Sequence, residues 1–180
     1  MSSLLVDAGR IPCALRGLLL IITLVAPGVS ATADDSTTMS DKDIYGWIEP
    51  VKVTEQAVLL PAKLDTGADT SSLDARDAER FERDGVEYVR FDLVHTSNGA
   101  PLTLEYPVTR DALIRRHGRE PDRRPVVELR LCLGSIEREI EFTLADRGVF
   151  DYPVLLGRNA LEGIAVIDPD ARDITRPDCG

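Results

Sequence analysis

The chain has 180 residues, a net charge of −10, 43% hydrophobic and 29% charged residues, and only 5% aromatics. That length fits one domain with an appendage, and the mix of apolar and charged residues excludes a wholly disordered chain. The acidic balance argues against a general nucleic-acid binder, and three cysteines and two histidines are too few for a disulfide scaffold or a His-rich metal centre.

At the start, Arg10 and Arg16 precede an apolar run from Leu18 to Ala26, which Pro27 and Gly28 break. Val29-Ser30-Ala31 and Ala31-Thr32-Ala33 both supply small residues for a cleavage site. Residues 1–33 are therefore expected to be a cleavable signal peptide. The run is short for a permanent membrane span; an uncleaved anchor is the alternative. Cleavage after Ala33 would leave 147 residues, enough for one proper core. Export would place them in an oxidising compartment, periplasmic or secreted. Cys132 and Cys179 would then be the two remaining thiols. The sequence leaves open whether they are joined.

Residues 34–43 are polar and read as a flexible leader. The segments 44–53 and 57–64 read as strands with a turn near Thr54-Glu55. Asp74 to Arg83 is expected to be a short helix, because Ala75, Ala78 and Phe81 recur at helical spacing before Asp84-Gly85. A strand from Glu87 to Val94 follows, then an Asn98-Gly99 turn and a strand from Leu102 to Val108.

The segment 110–124 holds six arginines (Arg110, Arg115, Arg116, Arg119, Arg123, Arg124) against Asp111, Glu120 and Asp122. With Gly118 and Pro121 it reads as a loop. His95 and His117 are isolated, and each is expected in a loop. Residues 126–144 predict a hairpin about Gly134-Ser135. That register sets Leu133 opposite Ile136, Leu131 opposite Arg138, Leu129 opposite Ile140 and Val127 opposite Phe142. The other face carries Glu128, Arg130, Cys132, Glu137, Glu139 and Glu141. Short strands at 153–156 and 164–167 follow, and 171–180 reads as a C-terminal tail. Many short strands with turn signals at this spacing indicate a barrel or sandwich.

The chemistry concentrates in Asp65-Thr66-Gly67-Ala68-Asp69-Thr70-Ser71-Ser72, which follows the apolar strand. A carboxylate at a strand end, a hydroxyl able to brace the turn and a glycine permitting close approach form a catalytic-loop pattern. Alone, the triplet also makes a good turn. Some 85 residues on stands Leu155-Leu156-Gly157-Arg158-Asn159-Ala160-Leu161. Together the blocks resemble retropepsin-type aspartic peptidases, and more closely the bacterial RimK-associated branch called ATP-dependent zinc proteases. Further matching blocks are Gly46-Trp47-Ile48-Glu49, Arg124-Pro125-Val126-Val127 and Leu144-Ala145-Asp146-Arg147.

This resemblance implies an all-β, small closed acid-protease barrel with one or two short helices over residues 44–170. It implies a metal-independent aspartic endopeptidase with no cofactor. One Asp-Thr-Gly per chain implies a homodimer, with Asp65 from each copy forming the dyad. Thr66, Gly67 and Ala68 would support the catalytic loop, and Asp69 and Arg158 would form an ion pair within each chain. The zinc and ATP of the label find no support: the sequence has neither a His-Glu-x-x-His motif nor a phosphate-cradling Gly-x-x-x-x-Gly-Lys-Ser/Thr loop. Arg110, Arg115, Arg116 and Arg119 are candidates for a cleft-rim loop attracting acidic peptides; a solvated loop balancing nearby acids is the alternative. The rival to catalysis is a non-catalytic barrel of the same fold that binds a peptide or an envelope partner.

Overall fold

The structure, a computed structural model, describes residues 41–94, 99–114, 118 and 120–180. The expected signal peptide, most of the leader, His95, Asn98, Arg115, Arg116, His117 and Arg119 lie outside the described residues. Eleven strands and one four-residue helix make up the described part, an all-β chain as expected. Strands β1 (Asp43–Val53) and β2 (Val58–Leu64) pair antiparallel across the turn 54–57. β3 (Ser71–Asp74) follows the Asp-Thr-Gly loop. β8 (Asp122–Leu133) and β9 (Ile136–Ala145) form the long hairpin, in the expected register pair for pair. Gly134 has φ +57° and Ser135 is not in the left-handed region, which suits a glycine-first two-residue turn.

Closure comes from non-local pairing. β10 (Val154–Leu156) inserts between β2 and β3, parallel to the first and antiparallel to the second. β3 runs parallel to β9, and β1 meets β8 through Val51–Val53. The ring β1-β2-β10-β3-β9-β8 is thereby closed, a six-stranded barrel. Its interior holds Val51, Leu60, Ala62, Leu64, Leu73, Leu129, Phe142, Leu144, Val154 and Leu156, all nearly inaccessible. Helix α1 (Arg158–Leu161) caps one side with Ala160 and Leu161 buried. β11 (Ala165–Arg172) then runs parallel to β1 and extends past Ile167, the expected end of the last strand. Among the described residues no helix is long and apolar enough to cross a membrane.

The expected helix at 74–83 is instead the end of β3 and all of β4 (Arg76–Arg83). β4 pairs with β5 (Val86–Leu93), which pairs with β6 (Leu102–Pro107) in a separate three-stranded sheet. Asp84-Gly85, read as a helix stop, is the tight turn of this hairpin. Both residues have positive φ, +52° and +77°, the requirement of a type I′ turn. Phe81 lies opposite Tyr88 and stacks on it at 5.7 Å, with the Arg83 guanidinium over both rings. Such cross-strand pairs hold an exposed hairpin together. The three-residue repeat of Ala75, Ala78 and Phe81 arises partly from a bulge between Arg76 and Glu79, which displaces the alternation by one residue.

The basic segment is also not a simple loop. Arg110–Ile114 form β7, paired with the first residues of β8. Two charged residues, Arg110 and Asp111, are followed by three apolar ones, so the segment has no strand alternation of its own, and its pairing with β8 makes it a strand.

The tail is tied down. Cys132 and Cys179 form a disulfide with Cα atoms 6.0 Å apart. Cys132 lies on the charged face of its hairpin yet is fully buried, because the tail covers it. The carboxylate of Glu49, also fully buried, accepts four hydrogen bonds at 2.7–3.2 Å. The donors are the backbone N–H groups of Gly46, Ile174 and Thr175 and the Thr175 hydroxyl. Lys52 donates to the Cys179 carbonyl at 2.8 Å, and the Asp178 N–H to the Gly134 carbonyl at 2.7 Å. A buried charge is tolerated only when its lone pairs are met in this way.

Candidate active site

β2 is buried through Ala62 and Leu64 and ends where Asp65 begins the loop. The Asp65 N–H donates to the Leu156 carbonyl at 2.8 Å, so β10 fixes the start of the loop. Asp65 Oδ1 accepts the Gly67 N–H at 3.0 Å, and its carbonyl accepts the Ala68 N–H at 3.2 Å. A Cβ on Gly67 would sit 3.2 Å from Asp65 Oδ1, so glycine keeps that carboxylate oxygen uncrowded. The Asp65 side chain is 31% exposed, and Thr66 and Gly67 are exposed beside it. The carboxylate is thus held on one oxygen and open to an approaching group.

The second block clamps the first. Arg158 forms an ion pair with Asp69 and donates to the Thr66 carbonyl at 2.9 Å. The Arg158 and Asn159 N–H groups donate to the Ala68 and Asp69 carbonyls. Behind them the Ser71 hydroxyl donates to Asn159 Oδ1 at 2.7 Å and accepts the Gly157 N–H at 3.0 Å. Asn159 Nδ2 reaches the Glu141 carbonyl at 3.0 Å. The Asp69–Arg158 pair is itself exposed and contributes little as a bare ion pair; its weight lies in the backbone bonds around it. A Cβ on Gly157 would lie 2.7 Å from the Thr70 carbonyl carbon and oxygen. Gly157→Ala must therefore push the two blocks apart. We expect a loss of about 2 kcal/mol in urea unfolding together with loss of any activity that depends on the loop. Full stability in that variant would mean that the loop yields freely.

Deeper in the site, Arg147 is buried and bridges three segments. Its backbone N–H donates to Asp74 at 2.6 Å, and its guanidinium to the Ser72 hydroxyl at 2.7 Å and the Tyr152 carbonyl at 3.2 Å. Burial lowers its pKa, opposed by the charge of Asp74. The guanidinium also lies 4.7 Å over the exposed Phe150 ring. Asp74, fully buried, is met from the other side by Arg76. Lys63 places its ammonium 3.7 Å from Asp65 Oδ2. Sequence reasoning assigned roles to none of Lys63, Glu49 and Arg147. The two-residue spacing of Lys63 from Asp65 on a strand was the available signal for the first.

Of the rim candidates, Arg110 sits in β7, its guanidinium on Glu141, whose carboxyl it holds below the usual carboxylate range. Arg123 pairs with Asp111 and Arg124 with Asp122. These three balance local acids; Arg115, Arg116 and Arg119 lie outside the described residues. Among the described residues, no cluster of three or more His, Cys, Asp or Glu side chains is arranged to hold a metal ion.

A closed six-stranded barrel that presents Asp-Thr-Gly against a Leu-Leu-Gly-Arg-Asn strand defines a retropepsin-like protein. The chain belongs to the RimB-like family, described as retropepsin-like aspartic endopeptidase RimB, whose model matches residues 44–178. Probable alpha-L-glutamate ligases of Parasynechococcus marenigrum and Shewanella pealeana are each 33% identical to it, over 113 and 112 residues. Those matches cover 62% and 61% of this chain, which spans about a quarter (24%) of the length of these curated relatives. A crystal structure of a Legionella pneumophila protein of unknown function shares 35% identity with a TM-score of 0.64, covering 74% of this chain and 98% of that one.

Proposed function

We propose that this chain is an exported aspartic endopeptidase, active as a homodimer in which two Asp65 carboxylates meet across a two-fold axis. The observation that carries the reading is the Asp65 carboxylate itself. It is fixed through Oδ1 by the Gly67 N–H, partly open, and supplied once per chain. Two such groups brought together share one proton, since both cannot stay charged at close range. The ionised Asp65 takes a proton from a water held between them. That water's oxygen bonds to the scissile carbonyl carbon, whose oxygen receives the proton of the other Asp65. Collapse of the tetrahedral adduct breaks the C–N bond as the first Asp65 passes the proton it took from water to the amine and the adduct's hydroxyl returns a proton to the other Asp65. Thr66, exposed beside each carboxylate, would brace the two loops against each other. The disulfide supports export, since such bonds persist in oxidising compartments.

The substrate is proposed to be an acidic peptide. Support comes from the curated relatives, which are named probable alpha-L-glutamate ligases and match this chain over about a quarter (24%) of their length. The test is digestion of Glu-rich and Lys-rich peptide libraries by the protein lacking residues 1–33, with and without a chelator. We expect cleavage of Glu-rich peptides, unchanged by the chelator. Binding without cleavage would favour the non-catalytic barrel, and loss on chelation would overturn the metal-free mechanism.

A further inference from the structure

The pairing register builds a row of neighbouring side chains across the barrel wall. Ile48 lies beside Lys63, Lys63 beside Leu155, Leu155 beside Ser72, and Ser72 beside Thr143. Side chains in register on adjacent strands point to the same face of a sheet. The alternate row is Ala62, Val154, Leu73 and Leu144, and every member belongs to the hydrophobic core. The Lys63 row therefore lies on the opposite face from that cluster, the side where Asp65 lies; Ile48, Ser72 and Thr143 on it are buried, and Lys63 and Leu155 are its partly accessible members. The contact between Lys63 and Asp65 Oδ2 agrees with that direction.

Along this row Lys63 is partly exposed, with 43% of its side chain accessible. Leu155 beside it is half-buried, and Ser72 beyond is buried under Arg147. The Arg147 guanidinium is committed to Ser72, Tyr152 and Phe150. The rim candidate Arg110 is committed to Glu141, and Arg123 and Arg124 on β8 are committed to Asp111 and Asp122. Arg158, also exposed, is committed to Asp69 and the Thr66 carbonyl, and Lys63 is the cation that contacts the candidate catalytic carboxylate itself.

We propose that Lys63 is a specificity-determining residue: its ammonium receives the carboxylate of an acidic substrate side chain flanking the scissile bond, and Leu155 packs against that side chain's methylenes. The proposal rests on the peptidase reading and deepens it. An overall charge of −10 repels acidic peptides at long range, so a preference for them needs a local cation at the point of contact. The flexible four-carbon stem of lysine lets the ammonium turn from Asp65 toward a substrate while staying over Leu155.

The test compares two peptides that differ only in Glu against Gln beside the cleaved bond. With the wild type, kcat/KM should favour Glu about tenfold, the scale of a charge-assisted hydrogen bond at a partly open site. Lys63→Met should bring the ratio near one, Lys63→Arg should restore it, and Lys63→Glu should favour a Lys-containing peptide over both. A purely structural role would change all rates together and leave the ratio alone; an unchanged ratio in Lys63→Met overturns the proposal. The same peptides are titrated onto the Asp65→Asn protein, with and without Lys63→Met, by fluorescence anisotropy. Discrimination there that Lys63→Met removes upholds Lys63 even if no peptide is cut. Its persistence in the double variant rejects Lys63 whether or not catalysis occurs.

Discussion

Mixing wild-type chains with an equal amount of Asp65→Asn chains, at fixed total concentration, should leave about a quarter of the original activity once subunits exchange. A dyad needs one competent carboxylate from each of two copies, and random pairing gives two competent copies in one dimer of four. The pure Asp65→Asn protein should lose at least about a thousandfold in kcat, because its amide can neither take the water's proton nor hold the shared one. It should nevertheless fold like the wild type. Asn retains a carbonyl oxygen to accept the Gly67 N–H at Oδ1, and the bond from the residue 65 N–H to Leu156 does not involve the side chain. Circular dichroism and thermal unfolding check the fold, and a fluorogenic peptide assay checks the mixture. A mixture retaining half the activity would mean that each chain works alone, and the dyad mechanism would fall.

Replacing Cys132 and Cys179 together by serine should cost about 4 kcal/mol of unfolding free energy, the chain-entropy scale for a bridge closing a loop of 47 residues. For a domain of this size that corresponds to a fall of roughly 10 °C in Tm. The wild type in strong reductant should show the same shift, and reductant should have no further effect on the double variant. The native fold should survive, because Glu49, Lys52 and the Gly134 carbonyl still hold the tail through hydrogen bonds. A midpoint indifferent to reductant would show that the tail is not bridged to the hairpin. The single variants Cys132→Ser and Cys179→Ser should each lose as much as the pair, since either one opens the bridge.

The chain's own pattern was sufficient for the strands that alternate and turn locally. The β8–β9 register was readable because Gly134-Ser135 sets the turn and a period of two sets the faces. Asp65, Asp69 and Arg158 stood out through two short blocks, since a loop that must bend tightly around a carboxylate allows few residue types. The misread segment 74–83 shows the limit. Its apolar residues recur at three-residue intervals, and only the positive φ of Asp84 and Gly85 and the stack of Phe81 on Tyr88 reveal a hairpin. Residues 110–114 likewise lacked a strand signature until β8 was there to pair with them.

What the fold alone decided is how distant segments meet. The insertion of β10 between β2 and β3 brings Leu155 beside Lys63, on the face opposite Val154 and Leu73. The tail docks on Glu49, some 125 residues away, and on Cys132, which its own hairpin would have left on the charged face. Periodicity and turn chemistry act over a few residues and so are written along the chain. Burial of the Glu49 carboxylate, closure of a barrel and the neighbours of one lysine depend on which surfaces pack together, and those contacts exist only once the whole chain has folded.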